Sequence, residues 1–125
     1  MSKKERPPVW IGHVRLQTST LEHTESFMKK IGLRPLFRGD DIAVMELRGG
    51  THILLVQDND SAGLANTKFD FMVEDLDRTH AEFKEQGLDI TGIERGRIHD
   101  SFRVTEPGGN IIVVNSTHVP DHNAV

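Results

Sequence analysis

Hydrophobic and polar positions along this chain change period in the same order twice. From Val9 to Gln17, β-prone residues run between Pro8 and Ser19, which predicts a strand. Leu21, Thr24, Phe27, Met28 and Ile31 then fall on one face at helical spacing. Ser19 or Thr20 is the expected N-cap, Glu22 completes a capping-box spacing from Ser19, and Gly32 marks the C-terminal stop. Short strands are predicted at about Arg34 to Arg38, Ile42 to Leu47 and Thr51 to Gln57, joined by hairpin turns at Gly39-Asp40-Asp41 and Gly49-Gly50. The predicted order is β-α-β-β-β.

Past the polar stretch from Asp58 to Thr67 the pattern begins again. Lys68 to Val73 reads as a strand, and Asp75 caps a helix carrying Leu76, Thr79, His80 and Phe83 that stops at Gly87. Strands follow near Leu88 to Arg95, His99 to Thr105 and Asn110 to Asn115, with Glu106-Pro107-Gly108-Gly109 as the last turn. Identities repeat with the pattern. The step from Gly32-Leu33 to Gly87-Leu88 also takes Leu21 to Leu76, Thr24 to Thr79 and Lys29 to Lys84. The step from Gly49-Gly50 to Gly108-Gly109 lays Thr51 to Val56 over Asn110 to Asn115. The drift between the two registers falls in loops, where insertions cost little. One domain over residues 9–116 is expected, with modules at 9–58 and 67–116, a linker at 59–66, a disordered polar arm at 1–8 and a tail at 117–125. Two similar modules predict a pseudo-twofold structure with a site where they meet, so function is sought at matched positions.

Strand alternation assigns the faces. Trp10, Val14 and Leu16 are expected against the helices, leaving Ile11, His13, Arg15 and Gln17 opposite. Phe69, Phe71 and Val73 take the helix side of the matching strand, leaving Lys68, Asp70 and Met72. Likewise His52, Leu54 and Val56 share the second face, as do Ile111, Val113 and Asn115. That face mixes apolar and polar residues, which predicts a concave ligand cavity in place of a solvent-facing sheet. Trp10 and the phenylalanines read as core.

Composition narrows the partners. The chain has 125 residues, a formal net charge of −4 and no cysteine. Disulfides and thiolate metal sites are therefore excluded, and a cytoplasmic location is expected. Nucleic-acid binding is not expected without a cationic excess; neutral or cationic small molecules are. No apolar run is long enough to span a bilayer, and the opening residues lack a secretory apolar stretch. Seven histidines make metal chemistry worth weighing. His23 and His80 lie on helices; His118 and His122 lie in the tail, where Pro120 spoils a helical clip.

Gly12-His13-Val14, the helix ending Ile31-Gly32-Leu33, Val73-Glu74-Asp75-Leu76-Asp77, and Ser101-Phe102 leading to Glu106-Pro107-Gly108-Gly109-Asn110 together resemble the vicinal oxygen chelate superfamily. Its members include glyoxalase I, extradiol dioxygenases and bleomycin-resistance binding proteins. The resemblance spans about residues 9–116 and implies an α+β fold of two paired βαβββ modules, a curved mixed sheet around a cavity, helices outside, and a homodimer. Metal-dependent members hold a divalent ion with side chains from four strands, and those positions here are His13, Leu54, Lys68 and Val113. A shift of two residues would replace Leu54 with His52. Only His13 matches as a ligand, and a divalent site needs three or more convergent donors. The leading expectation is a small-molecule binding protein of the bleomycin-resistance type, with no cofactor. Its ligand would meet His13, Arg15, His52, Leu54, Lys68, Asp70, Met72, Arg103 and Val113. The alternative is a metal-dependent lyase, isomerase or dioxygenase with a divalent ion held by a non-standard set.

Overall fold

The computed structural model describes residues 7–61, 63 and 65–117. The first module runs β1 (His13–Thr18), α1 (Leu21–Lys30), β2 (Arg34–Arg38), β3 (Ile42–Glu46) and β4 (His52–Gln57), with a single 3-10 turn at Arg48–Gly50. The second runs β5 (Ala65–Asn66), β6 (Phe71–Val73), α2 (Leu76–Glu85), β7 (Asp89–Ile90), β8 (Ser101–Thr105) and β9 (Asn110–Ser116). Each module builds its own mixed sheet. The first has the order β1-β4-β3-β2, and the second β5-β9-β8-β7 with β6 also on β9. In both, the opening strand lies parallel to the last, and antiparallel hairpins complete the sheet. The fold class is α+β, as expected. The strands form two sheets that do not close into one.

The helices show why the repeat is structural. Gly32 (φ 110°) and Gly87 (φ 75°) take left-handed backbone that a side chain resists. That lets Leu33 N–H reach Met28 O at 3.0 Å and Leu88 N–H reach Phe83 O at 3.1 Å, the same C-terminal wrap in both modules. Leu21, Phe27 and Met28 from α1, and Leu76 and Phe83 from α2, enter one buried cluster. Ala43, Met45, Ile53 and Leu55 from the first sheet join it, with Phe102, Val104, Ile112 and Val114 from the second.

Several expectations are corrected. The capping box does not form: α1 starts at Thr20 without a side-chain cap, and Leu21 N–H instead donates to Gln57 Oε1 at 2.9 Å. Asp75 does cap α2, accepting from Arg78 N–H. Trp10 is 73% exposed and packs on no helix. The cause is the end of the ladder, because His52 N–H bonds Gly12 O, β4 starts there, and residues 9–11 run past the sheet. Phe37, on the outermost strand, is also exposed. Leu88 to Arg95 shortens to Asp89–Ile90 and one bridge between Glu94 and Ser101.

The largest departure lies at Lys68 to Val73. Asn66 pairs with Ile111 and Phe71 with Val114, so five residue steps on one strand face three on the other. Two extra residues are accommodated as a bulge in which Lys68, Phe69 and Asp70 leave the ladder. Thr67 stabilises it, donating N–H to Ile111 O and Oγ1–H to Phe69 O. The expected arm at 1–8 and tail at 117–125, with His118 and His122, lie largely outside the described residues.

Candidate functional site

The modules meet at two joints that correspond under the repeat. One is closed by a polar network. Glu106, 1% exposed, accepts at Oε1 from Thr24 Oγ1 (2.6 Å) and Gly108 N–H (2.9 Å). At Oε2 it accepts from Asn110 N–H (2.9 Å) and Asn110 Nδ2 (2.7 Å). Thr18 Oγ1 stands 2.9 Å from Thr24 Oγ1, and Asn110 Nδ2 also donates to Gln17 O. The second module's last turn is thereby tied to β1 and α1 of the first. Gly108 is required there, because a Cβ would overlap Thr18 Oγ1.

The matched residues at the other joint follow from the two registers of the repeat. They are Val73 for Thr18, Thr79 for Thr24, Leu47 for Glu106, Gly49 for Gly108 and Thr51 for Asn110. All five line one cleft of about 900 Å³. Leu47 stands where the closed joint has the carboxylate, and this joint is open. The bulge at Lys68–Asp70 supplies one wall, Ile11 and Val14 face it, and Ile31, Leu33 and Phe83 come from the helix side. The Phe69 and Phe71 rings lie 5.7 Å apart, tilted by 43°. Arg48 and Glu74 pair at 2.9 Å from opposite modules at this cleft.

Of the nine expected site residues, the cleft brings together Lys68, Asp70 and Met72. The others are on the sheet faces turned away from the core cluster. On the first sheet, His13 pairs with His52 and Arg15 with Leu54 across the β1–β4 ladder. The two imidazoles sit edge to face with centroids 5.6 Å apart, and Glu46 Oε2 is 3.7 Å from His52 Nε2. Hydrogen bonding from Arg34, reinforced by its charge and that of His52, outweighs desolvation and holds the Glu46 carboxyl below its ordinary pKa. On the second sheet Arg103 pairs with Val113 and Met72 with Asn115, whose amide donates to Asp70 at 2.7 Å. Strand alternation places Val14, Phe69 and Phe71 against the helices, and Phe83 reads as a core residue of the second helix. Their role as cleft walls was signalled only by the mismatch of Leu47 with Glu106.

No protein-family model matches the sequence, and no curated protein matches it significantly. Solved structures do. Lactoylglutathione lyase from Agrobacterium tumefaciens superposes with a TM-score of 0.75 at 19% identity, covering 89% of this chain and 96% of that one. The bleomycin resistance determinant encoded on transposon Tn5 gives 0.72 at 15% identity, covering 89% and 100%. TnmS3, an antibiotic binding protein from Streptomyces sp. CB03234, gives 0.73 at 17%, covering 90% and 99%. The chain shares the fold of these structures, the one that the resemblance to the vicinal oxygen chelate superfamily implies.

The resemblance to the vicinal oxygen chelate superfamily would put the ligands of a divalent ion at His13, Leu54, Lys68 and Val113. Leu54 and Val113 have no donor atom, and Lys68 brings a positive charge from inside the bulge. A two-residue shift is sterically natural, since His52 is the direct neighbour of His13, yet it yields two imidazoles only. Among the described residues no group of three or more His, Cys, Asp or Glu side chains is arranged to hold a metal ion. The donor set does not fit the fold's usual ion. No helix among the described residues is long and apolar enough to cross a membrane.

Proposed function

We propose that this chain is a small-molecule binding protein that sequesters its ligand without a metal, in the open joint between its modules. One observation carries the reading. Two of the four positions that would supply metal donors are aliphatic and a third is cationic, while the joint matched to Glu106 opens into a ligand-sized cleft. Polarising vicinal oxygens on a Lewis acid needs that ion held by several groups. Binding needs only a concave, mostly apolar site with a few polar anchors. Lys68, Asp70 and Thr79 are the anchors; Leu33, Leu47, Phe69, Phe71 and Val114 are the walls. The named activities of the bleomycin resistance determinant and of TnmS3 support the reading, since both proteins are defined by an antibiotic they resist or bind.

The test is equilibrium dialysis of exhaustively chelated protein against a library of small hydrophobic compounds, with elemental analysis of the untreated protein. The expected result is retention of a compound class by metal-free protein. Stoichiometric nickel, zinc, iron or manganese, lost together with ligand on His13→Ala, would overturn the proposal and favour a metal-dependent lyase or oxygenase.

Homodimerisation belongs to the same reading. The sheet faces opposite the core carry half-buried Val44, Leu54, Val56 and Val113, an apolar surface suited to a second copy. Sedimentation equilibrium is expected to give twice the chain mass, and Leu54→Lys with Val113→Lys is expected to give monomer. A wild-type monomer at micromolar concentration would remove the dimer from the proposal.

A further inference from the structure

Building on that reading, we infer that the open joint selects an amphiphilic cation, an apolar and preferably planar body carrying one amine. The argument starts from the repeat. In the closed joint the space is filled by a carboxylate and its donors; in the open one the matched residues are Leu47 and Val73, with Thr79 the remaining side-chain hydroxyl of the pair of threonines. The interior therefore offers contact area and little hydrogen bonding, which suits an apolar body. Phe69 and Phe71, with rings 5.7 Å apart, both line the cleft, and aromatic rings attract a cation.

Charge at the margin sets the sign. Glu46, Asp70, Glu74 and Asp75 line the cleft against Arg48 and Lys68, an excess of two carboxylates. Glu46 is already held by Arg34, and Glu74 by Arg48. Asp70 takes its hydrogen bond from the neutral Asn115 amide and Asp75 from a backbone N–H. Neither belongs to an ion pair among the described residues. Asp70 stands in the bulge beside the phenylalanines and is the carboxylate placed to meet the amine. An anion would meet Lys68, which like Asp70 and Asp75 belongs to no ion pair among the described residues, but unpaired charge on the lining still favours carboxylates two to one, and a second cationic contact would have to draw Arg48 from Glu74. At partly screened surface distances the excess corresponds to about a tenfold preference for a cation over an uncharged analogue.

Three tricyclic probes of one size and different charge test this on the full chain by fluorescence anisotropy above neutral pH: 9-aminoacridine (cation), acridine (uncharged) and anthracene-9-carboxylate (anion). The expected order is cation tightest by about tenfold, then acridine, with the carboxylate weakest. Asp70→Asn is expected to abolish the tenfold difference between the cation and acridine. Thr79→Trp, which fills the cleft, is expected to weaken all three. Because that variant could misfold, amide chemical shifts of the wild type give an independent reading, with bound aminoacridine moving Leu33, Leu47 and Phe69–Val73. Equal binding of all three probes at those amides would overturn the cation and leave the cleft as the binding site. Cation binding that moves amides of the opposite sheet faces and ignores both variants, or no binding by any probe, would overturn the cleft as well.

Discussion

Glu106→Ala is expected to destabilise the protein by about 3–5 kcal/mol, because truncation removes a buried acceptor from one buried donor and three partly buried ones. Four groups lose it: the Thr24 hydroxyl, the backbone N–H groups of Gly108 and Asn110, and the Asn110 side-chain amide. Each unsatisfied buried donor costs about 1–3 kcal/mol, and water entering the gap recovers part of that sum. In a chain of this size the loss corresponds to a fall in Tm of roughly 10–20 °C. Glu106→Gln is the sharper variant. It keeps the volume but turns an NH2 group toward donors, so it is expected to lose more than half as much. Calorimetry on the three proteins measures the effect. A loss under about 1 kcal/mol for Glu106→Ala would mean that the joint is held by apolar contacts alone.

The same network explains what could be read in the sequence. Both helices, their left-handed glycine stops and the order of the strands, apart from β5 inside the expected linker, followed from period and turn chemistry, because those features are local. The repeat predicted that the modules would meet at a site; they meet at two joints, one set of residues at the first and the matched set at the second. What stayed hidden is that the joints differ. Leu47 and Glu106 occupy equivalent positions before equivalent glycines, and only three-dimensional packing shows that the joint with the carboxylate is closed and the joint with the leucine open. The bulge was hidden for a related reason. Lys68 to Val73 alternates as a strand should, and nothing in that alternation records that β9 spends two fewer residues over the same span.

These hidden differences decide how the candidate site is read. The resemblance directed attention to the sheet faces, where His13, Arg15, His52 and Leu54 lie together, with Arg103 and Val113 on the second sheet. The fold contributes a second kind of surface, lined by side chains that alternation assigns to the interior. Val14, Phe69 and Phe71 do pack against the core, but each also borders the cleft because the β1 and β6 edges do not join. A residue can be a core residue by period and a ligand contact by topology. Single-sequence reasoning sees the first property only.

Phe102→Ala is expected to match or exceed the Glu106 effect, at about 3–5 kcal/mol, by opening a cavity in the second module. Phe102 is 2% exposed and is the second residue of β8, paired with Val114. Its ring takes His80 edge to face at 4.9 Å and Phe83 at 5.7 Å, so it carries the contact between α2 and the sheet. The cost combines lost transfer energy, a cavity that the strands cannot collapse, and two aromatic contacts. Phe37→Ala is the control: that ring is 58% exposed on the outermost strand, and its loss is expected to stay within about 0.5 kcal/mol. Both phenylalanines sit in five-residue strands that read alike by composition, so only their places in the sheets separate them. Urea denaturation compares the variants, and hydrogen exchange localises the damage, with α2 amides expected to lose protection before those of α1. Equal stability losses for the two substitutions would contradict the packing of the second module, and with it the position of Phe83 at the cleft wall.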